Sequence, residues 1–361
     1  MDGLLLKNGK VVDPVNNIDT NMDILIKHGV IYDIAQSLPP GMIDEVIDLH
    51  GKVVIAGIID MHVHLCGNLN AGYKMLAKSG VTTAIDFSGP VDEVVRGLRE
   101  KGTGISVGVM NGLIPGSNIS KGTCSFDEIR DAVDKSMIEG SLGIKILGGH
   151  YPLTSENSLR TIEYCNSINA YIAFHAGTME VREPFPAFKQ AAGFAEGKRL
   201  HIAHVNSYCR GRYKNYIDEM AEAMGILDEN SNIHSDSYIS SFNGTDGSFV
   251  NGEFTSRVTR TELEKGGYPP TETGLKNAVM DGYVLVCKEK NGENMLVSGM
   301  EGFEHWKLAK SEITLSFNVN PSINSIAFVM HKDKSNKFTV DALSTDGGGI
   351  HRNVIIRQGL P

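Results

Sequence analysis

Six polar residues of the types that bind metal ions recur at the ends of β-rich runs: His62, His64, Lys145, His175, His204 and Asp346. His62 and His64 lie two residues apart, so on a strand their side chains point to the same face. Lys145, His175 and His204 are each separated by about one strand–helix unit. Imidazoles and carboxylates that converge at successive strand ends favour Zn²⁺ or a similar divalent ion. A single strand-end histidine, by contrast, is more often structural.

Lys145 is the most informative member of this set. Its ammonium group lies in the apolar run GIKIL, where it needs a partner or must lose its charge. A neutral lysine near cations can react with carbon dioxide to give a carbamate, and that anion can bridge two metal ions. An ion pair with a buried carboxylate is the alternative.

The chain around these residues changes its rhythm after the first 54 positions. Asn8-Gly9 and His28-Gly29 lie where hairpin turns belong, so residues 1–54 are predicted to form a small antiparallel β domain. From residue 55 onward, strand-like runs alternate with helical patterns, which is typical of a parallel sheet with crossover helices. Eight such strands favour an α/β fold, a (β/α)₈ TIM barrel, over residues 55–361. Strand ends of such a barrel would carry the six polar residues.

Two stretches depart from that pattern. Residues 244–337 are long and mixed, and they are predicted to form an elaborated connection between the seventh and eighth strands, as a lid or side wall. The chain stops soon after Asp346, so an eighth helix barely fits there. We therefore expect the C-terminal part of the small β domain to be missing, as in a fragment of a longer protein.

Composition narrows the possible partners and the compartment. The net charge is −9 with both signs interspersed, so nucleic acid is not an expected partner. No apolar run is long enough for a membrane span, and the five cysteines are scattered, which favours a reducing cytoplasm. A small-molecule substrate is expected, and a homo-oligomer stays open.

The order HxH, Lys, His, His, Asp, after the opening LLLKNGKVVD and the phrase VVIAGIIDMHVH, resembles the amidohydrolase superfamily of metal-dependent hydrolases. The resemblance covers nearly the whole chain. Within the superfamily it is similar to the group of dihydroorotases, hydantoinases, isoaspartyl dipeptidases and N-acyl-D-amino-acid deacylases. It implies two metal ions, expected to be Zn²⁺. One ion would take His62, His64 and Asp346. The other would take His175 and His204, with carboxylated Lys145 and a hydroxide between them.

The substrate class is less sharply defined by the resemblance. Dihydroorotases usually carry an arginine where this chain has Cys66, whereas EGSLGIKILGGHYPLT looks like the fourth strand of D-aminoacylases, including Tyr151. Those enzymes usually lack a lysine, so Lys145 departs toward the isoaspartyl dipeptidase pattern. An N-acylated amino acid or small dipeptide is therefore the expected substrate. The alternatives are a cyclic amide hydrolase of the dihydroorotase or hydantoinase type and an inactive amidohydrolase-like scaffold.

Catalytic and substrate-binding roles follow from position near the strand ends. Asp346 is predicted to move the proton from the attacking water to the leaving nitrogen, and Tyr151 to bind the oxyanion or merely to pack. Arg210 is predicted to hold a substrate carboxylate in a bidentate fork, with a surface salt bridge as the alternative. The full set of expected pocket residues is Asn206, Ser207, Tyr208, Arg210, Ser240, Asn243 and His150. His201, three residues before His204, is expected to face the opposite side and to be structural.

Overall fold

The computed structural model describes residues 3–41, 43–65, 72–291 and 293–348. Cys66 and the stretch after residue 348 lie outside these ranges. The chain divides into two compact units, one up to Ile58 and the other from Ile59 onward. Within the described ranges, no helix combines the length and the apolar character that crossing a membrane requires.

The first unit is a β-sheet of strands β1 (Leu4–Asp13), β2 (Ile18–Lys27), β3 (Val30–Ala35), β4 (Glu45–Asp48) and β5 (Val53–Ile55). β2 pairs antiparallel with both β1 and β3, but β4 and β5 pair parallel with β1. The sheet is therefore mixed, and the prediction of a purely antiparallel layer is wrong. His28-Gly29 does form the hairpin turn between β2 and β3, with positive φ at both residues. Asn8-Gly9 instead forms a bulge inside β1, because the pairing register shifts between Leu6 and Gly9.

The second unit alternates strands and helices along the chain. Its strands are β6 (Ile58–His64), β7 (Val81–Asp86), β8 (Ser106–Val109), β9 (Asn111–Leu113), β10 (Gly143–Leu147), β11 (Tyr171–His175), β12 (Leu200–Ile202), β13 (Ile233–Tyr238), β14 (Phe242–Asp246), β15 (Phe249–Val250), β16 (Glu253–Phe254), β17 (Val284–Lys290), β18 (Glu293–Val297), β19 (Thr314–Asn318), β20 (Ala342–Ser344) and β21 (Gly347–Gly348). Its helices are α1 (Gly72–Lys78), α2 (Val91–Lys101), α3 (Phe126–Ile138), α4 (Ser155–Ser167), α5 (Pro184–Phe194), α6 (Tyr216–Glu229), α7 (Arg257–Lys265), α8 (Glu272–Met280), α9 (Gly299–Leu308) and α10 (Ser322–Met330).

Two sheets carry the strand ends of interest. One has the order β20-β13-β12-β11-β10-β9, in which neighbouring strands pair parallel, and the other has the order β21-β6-β7-β8. A single residue separates β8 from β9, and two residues separate β20 from β21. The same two chain segments therefore contribute a strand to each sheet. The predicted α/β class is confirmed.

Local sequence explains why the helices begin where they do. Ser125 caps α3 by accepting a hydrogen bond from the backbone N–H of Glu128, and Thr154 caps α4 in the same way at Asn157. α3 then buries Ile129 and Val133, at helical spacing, in the main apolar core. The helices are thereby fixed against the parallel strands, and the strand ends are held in place.

An insertion separates β13 from β20 and has a core of its own. Its strands pair antiparallel in the order β14-β19-β17-β18, and α7, α8 and α9 pack with them. Phe254, Leu263, Phe303, Trp306 and Phe317 are among its buried apolar residues. This segment is the one that the sequence predicts as an elaborated connection.

Candidate metal centre

The first group of metal-ligand side chains forms where β6 and β21 pair side by side. That pairing aligns Gly347 with Val63 and so brings Asp346 next to the two histidines of β6. The Nε2 of His64 lies 2.9 Å from Oδ1 of Asp346, and the Nε2 of His62 lies 3.7 Å from the same atom. One ligand atom from each of the three residues lies within 4.8 Å of the others. Two imidazoles and a carboxylate so placed suit a divalent cation.

A second pair of histidines adjoins this group. His175 ends β11, and His204 follows β12 with a left-handed φ of 41°. The Nε2 of His204 lies 3.1 Å from Nδ1 of His175, and the His204 ring stacks against that of His62 at 5.2 Å. The four sequence-predicted histidines, from β6, β11 and the turn after β12, therefore converge in one place.

Lys145 lies beneath the cluster on β10. It is 1% exposed, and its Nζ lies 4.6 Å from the centre of the Phe87 ring. Among the described residues, Nζ has no hydrogen-bond partner and no carboxylate within ion-pair distance. The ion pair considered from the sequence is therefore absent from the part of the chain that the structure describes. Burial lowers the pKa of Lys145 to about 8. An unpartnered amine of lowered basicity fits a residue that becomes carboxylated.

Burial also keeps His62, His175 and His204 neutral, which metal binding requires. Burial and then the nearby Lys145 lower the pKa of His62 to about 4. Burial lowers the pKa of His175 and of His204 well below the usual value as well, and His204 adds to the effect on His175. Neutral imidazoles have a lone pair available for a cation.

Hydrogen bonds orient three of these rings. The Nδ1 of His62 contacts Oδ2 of Asp236 at 3.2 Å, that of His64 contacts Oγ of Ser88 at 3.2 Å, and that of His204 contacts Oγ of Ser207 at 2.7 Å. In each case the Nε2 atom is left to face the cluster. Outer contacts of this kind fix the tautomer and ring orientation of metal-binding histidines.

Asp236 and Asp60 are buried carboxylates that the sequence analysis did not single out. Both are 0% exposed. Asp60 accepts hydrogen bonds from the backbone and the hydroxyl of Thr345, the neighbour of Asp346, and burial raises its pKa to about 7. Burial opposes ionisation of Asp236, but the interaction with His62 and the hydrogen bonds from His201 and His62 hold its pKa well below the usual value. Each carboxylate therefore anchors a segment that carries a candidate ligand.

His201 corrects one expectation. Its ring is 1% exposed and contacts Asp236 through Nε2 at 2.8 Å, so it shares the interior with His62. The spacing argument is wrong here because β12 ends at Ile202 and His204 lies in a left-handed turn beyond it. The side chains of residues 201 and 204 therefore do not alternate as they would within one strand.

The cluster opens into a large cavity of about 1560 Å³. Among the predicted pocket residues, those that line it are His150, Tyr151, Ser207, Tyr208, Arg210 and Asn243. The insertion contributes part of the wall, including Arg257, Glu262 and Lys265 of α7. These three residues lie in the segment for which the sequence predicts a lid or side wall, and that role stays a prediction.

Comparison with known proteins shows which proteins the chain is similar to. No family model matches the chain. A dihydroorotase from Sulfurihydrogenibium sp. is 26% identical over 193 residues, which are 50% of this chain and 44% of that protein. An L-hydantoinase structure from Arthrobacter aurescens superposes with a TM-score of 0.50 at 18% identity, covering 78% of this chain and 67% of the other. An ochratoxinase structure from A. niger superposes with a TM-score of 0.53 at 12% identity, covering 99% and 80%.

The chain is thus similar in sequence to dihydroorotases and in fold to a hydantoinase and an ochratoxinase. The two structural likenesses show the fold, and the dihydroorotase match is in sequence. The chain spans less than half of the length of the dihydroorotases it matches.

Two predicted pocket residues do not line the cavity. Asn206 is 1% exposed; its amide donates to the carbonyl of Tyr238 at 3.1 Å and accepts from the backbone N–H of the same residue. Ser240 is buried, and its hydroxyl oxygen accepts from the backbone N–H of Phe242. Both side chains are used to hold the chain after β13, so a substrate-binding role for them is corrected.

Tyr208 lines the cavity, but its hydroxyl already accepts a hydrogen bond from the backbone N–H of Ala176 at 2.8 Å. The side chain is 2% exposed, and its ring stands 5.6 Å from that of His204. Tyr208 thus buttresses His204. Tyr151, in contrast, is 44% exposed at the cavity, where it can meet a bound molecule.

Proposed function

We propose that the chain hydrolyses the C–N bond of a cyclic amide in a site that holds two divalent metal ions. One observation carries this proposal. His62, His64 and Asp346 lie beside His175 and His204, above the unpartnered amine of Lys145, in one cavity. The relatives named dihydroorotase favour the cyclic-amide class over the linear N-acylated amino acid or dipeptide that the sequence pattern suggested.

The proposed fold is the closed (β/α)₈ barrel. The parallel pairings from β9 to β20 and the order β21-β6-β7-β8 support it, because β8 and β9 are consecutive in the chain and so are β20 and β21. Closure puts the carboxyl ends of all these strands at one rim, which is where enzymes of this fold place their chemistry.

The donor set suits zinc. His62, His64 and Asp346 would hold one ion, and His175 and His204 the other, with Lys145 shared between them once its amine has added carbon dioxide and released a proton. When bound, two such ions lower the pKa of a shared water and polarise the scissile carbonyl.

Asp346 is the residue best placed to move the proton. Its Oδ1 lies 2.9 Å from His64, at the cavity surface, and the side chain is itself lining the cavity. The carboxylate takes a proton from the attacking water and delivers it to the departing nitrogen. Without that delivery the leaving group would be an amide anion, which leaves very poorly.

Arg210 is proposed to bind an acidic group of the substrate. Its Nε donates to Oδ1 of Asn320 at 2.7 Å, and one terminal nitrogen donates to the hydroxyl of Tyr238 at 2.9 Å. The same terminal nitrogen also donates to Oδ1 of Asn243 at 3.3 Å. All three partners are neutral, and Arg210 has no ion pair among the described residues. The Tyr238 ring stands 6.0 Å from that of His204, which places Arg210 one tyrosine away from the metal-ligand cluster. The other terminal nitrogen, Nη1, has no hydrogen-bond partner among the described residues and can donate to a carboxylate.

The proposal is tested with zinc-loaded protein and a panel of amides. Dihydroorotate, hydantoins and dihydrouracil represent the cyclic class, and N-acetyl-D- and N-acetyl-L-amino acids and dipeptides represent the linear class. We expect turnover of a cyclic amide that chelator abolishes and Zn²⁺ restores. Turnover of linear amides alone would reverse the substrate class, and metal binding without any turnover would favour the inactive scaffold.

A further inference from the structure

Asp236 lies at the centre of a buried hydrogen-bond network beneath the candidate metal centre. Its Oδ2 atom accepts from Nδ1 of His62 at 3.2 Å and from the hydroxyl of Ser344. Its Oδ1 atom accepts from Nε2 of His201 at 2.8 Å and from the backbone N–H of His204 at 2.9 Å. Asp236 is 0% exposed, so these protein groups take the place of water around the carboxylate.

The donors come from segments that carry ligands of both proposed metal positions. His62 is itself a ligand of the first position, and Ser344 lies two residues before Asp346, another ligand of that position. His204 is a ligand of the second position. One carboxylate on β13 thus contacts β6, the turn after β12, and β20.

From this arrangement we infer that Asp236 is a positioning residue that sets the ligands of both metal positions at once. The inference rests on the proposed two-metal site. Asp236 is not itself a metal ligand in this proposal. It acts only through the residues to which it is hydrogen-bonded.

At the first position the effect is on the tautomer of His62. A neutral imidazole carries one proton, and the acceptor at Nδ1 keeps the proton on that nitrogen. The Nε2 lone pair then faces Asp346. If the acceptor is lost, the proton can move to Nε2 and the ring can rotate, so His62 becomes a poorer ligand.

At the second position the effect is on the backbone. His204 has a φ of 41°, which is unfavourable for a residue with a Cβ atom. The hydrogen bond from its N–H to Asp236 stabilises this turn, and the turn directs the ring toward His175. Loss of that bond would let the turn relax and would move Nε2 of His204 away from the cluster.

His201 and Tyr171 hold Asp236 from the other side. The Nδ1 of His201 lies 3.0 Å from the hydroxyl of Tyr171, so a line of hydrogen bonds runs from Tyr171 through His201 and Asp236 to His62. Because Asp236 is fixed in this way, its carboxylate does not move with His62 or His204 if either residue shifts. It can therefore act as a rigid reference for both positions.

The test is a metal titration of the full-length apoprotein. Zn²⁺ is titrated in competition with a chromophoric chelator, which gives the affinity of each position without any activity assay. Asp236→Asn should weaken both positions, each by roughly 10- to 100-fold, because the loss of an outer contact commonly has that effect on metal affinity. If Asp236 had a purely structural role, the variant would lower the melting temperature of the apoprotein. The Zn²⁺ affinities of both positions would then equal those of the wild type.

Two neighbouring serines provide matched controls. Ser207→Ala removes a hydrogen bond to His204 only, so it should weaken one position and leave the other at its wild-type affinity. Ser235 lies next to Asp236 in the sequence, but its hydroxyl donates to the carbonyl of Ile202. Ser235→Ala should therefore weaken neither metal position.

The outcomes separate this inference from the proposed function. If the wild type binds no Zn²⁺, both fall together. If the wild type binds two ions and Asp236→Asn binds them equally well, or loses only one, the positioning role alone is overturned. Should Asp236→Asn fail to fold, His201→Phe decides, because it removes one donor and leaves the carboxylate in place. A smaller loss at both positions supports the role, and unchanged affinities overturn it.

Discussion

At the scale of single residues, the main property of the cluster is that its ionisable side chains are buried, which disfavours their charged forms. His62, His175 and His204 are desolvated enough to be neutral, and Lys145 is desolvated and has no partner among the described residues. In an ordinary core such groups would be a cost to folding. Here they surround one point, so the cost is offset when a cation binds there.

Lys145 gives the first prediction. Lys145→Ala should lose bound metal and turnover together, because the bridging anion can no longer form. Short carboxylic acids such as acetate should restore part of both by filling the space of the lost side chain. Metal content and kcat measured with and without acetate check this. Lys135→Ala, at a 76% exposed side chain on α3, is the control and should behave as wild type. Full metal in the Lys145 variant without acetate would contradict the prediction.

The second residue-scale prediction concerns Asp346. Asp346→Asn should keep most of its metal, since the other ligands remain, while kcat falls by roughly 10²- to 10⁴-fold, the usual scale for a lost general acid–base. Metal content and kcat must be measured on the same preparation. Asp341→Asn, in the same segment but half exposed, should leave both nearly unchanged. Near-normal turnover in a fully loaded Asp346 variant would show that another group moves the proton.

Sequence alone predicted the residues that have a regular spacing along the chain, and it missed those whose position depends on the folded structure. The six ligand candidates stand at strand ends, where spacing of about one strand–helix unit makes them visible. Asp236 was not visible, because β13 is buried on both sides and has no polar–apolar alternation to mark an inward residue. His201 and Asn206 were misjudged since their orientation depends on where β12 ends, and no sequence signal gives that end.

At the scale of elements, loops decide which molecule can reach the cluster. The turn after β12 supplies Ser207, Tyr208 and Arg210, and the insertion supplies α7 as a wall. The position of the insertion was predictable from its broken rhythm, but its separate core of aromatic residues was not. The bulge at Asn8-Gly9 shows the same limit: the pair indicates positive φ, and pairing partners decide between a turn and a bulge.

Arg210 gives the element-scale prediction, because its position depends on the turn after β12 and on Asn320 before α10. Arg210→Met should raise KM for a carboxylated cyclic amide by about 10- to 100-fold, the equivalent of roughly 1.5–3 kcal/mol for a charge-assisted hydrogen bond. KM for a neutral cyclic amide should change little. Steady-state kinetics with dihydroorotate and dihydrouracil provide the comparison, with Arg160→Met, at a half-exposed side chain on α4, as the control. Equal changes for both substrates would place the acidic group elsewhere.

At the scale of the whole molecule, the site joins segments that are far apart in the chain. The pairing of β6 with β21 brings the candidate metal ligands His62, His64 and Asp346 together, and Asp236 joins β13 to β6 and to β20. A cation bound there would cross-link these elements in the folded chain and would have no comparable site in the unfolded chain. Metal binding and folding stability of the second unit should therefore be coupled.

Metal removal should accordingly lower the melting temperature. A ligand that binds only the folded state stabilises it by RT ln(1 + [L]/Kd), which is about 2.7 kcal/mol when free metal is at 100 times Kd. For a chain of this size that corresponds to a shift of several degrees. Calorimetry of zinc-loaded protein, of chelator-treated protein and of treated protein resupplied with Zn²⁺ measures the shift and its reversal. The Lys145→Ala variant should show little or no shift on zinc addition, because its bridging anion is gone. Identical melting curves for the loaded and stripped wild type would mean that these ligands do not hold a metal ion in the folded protein.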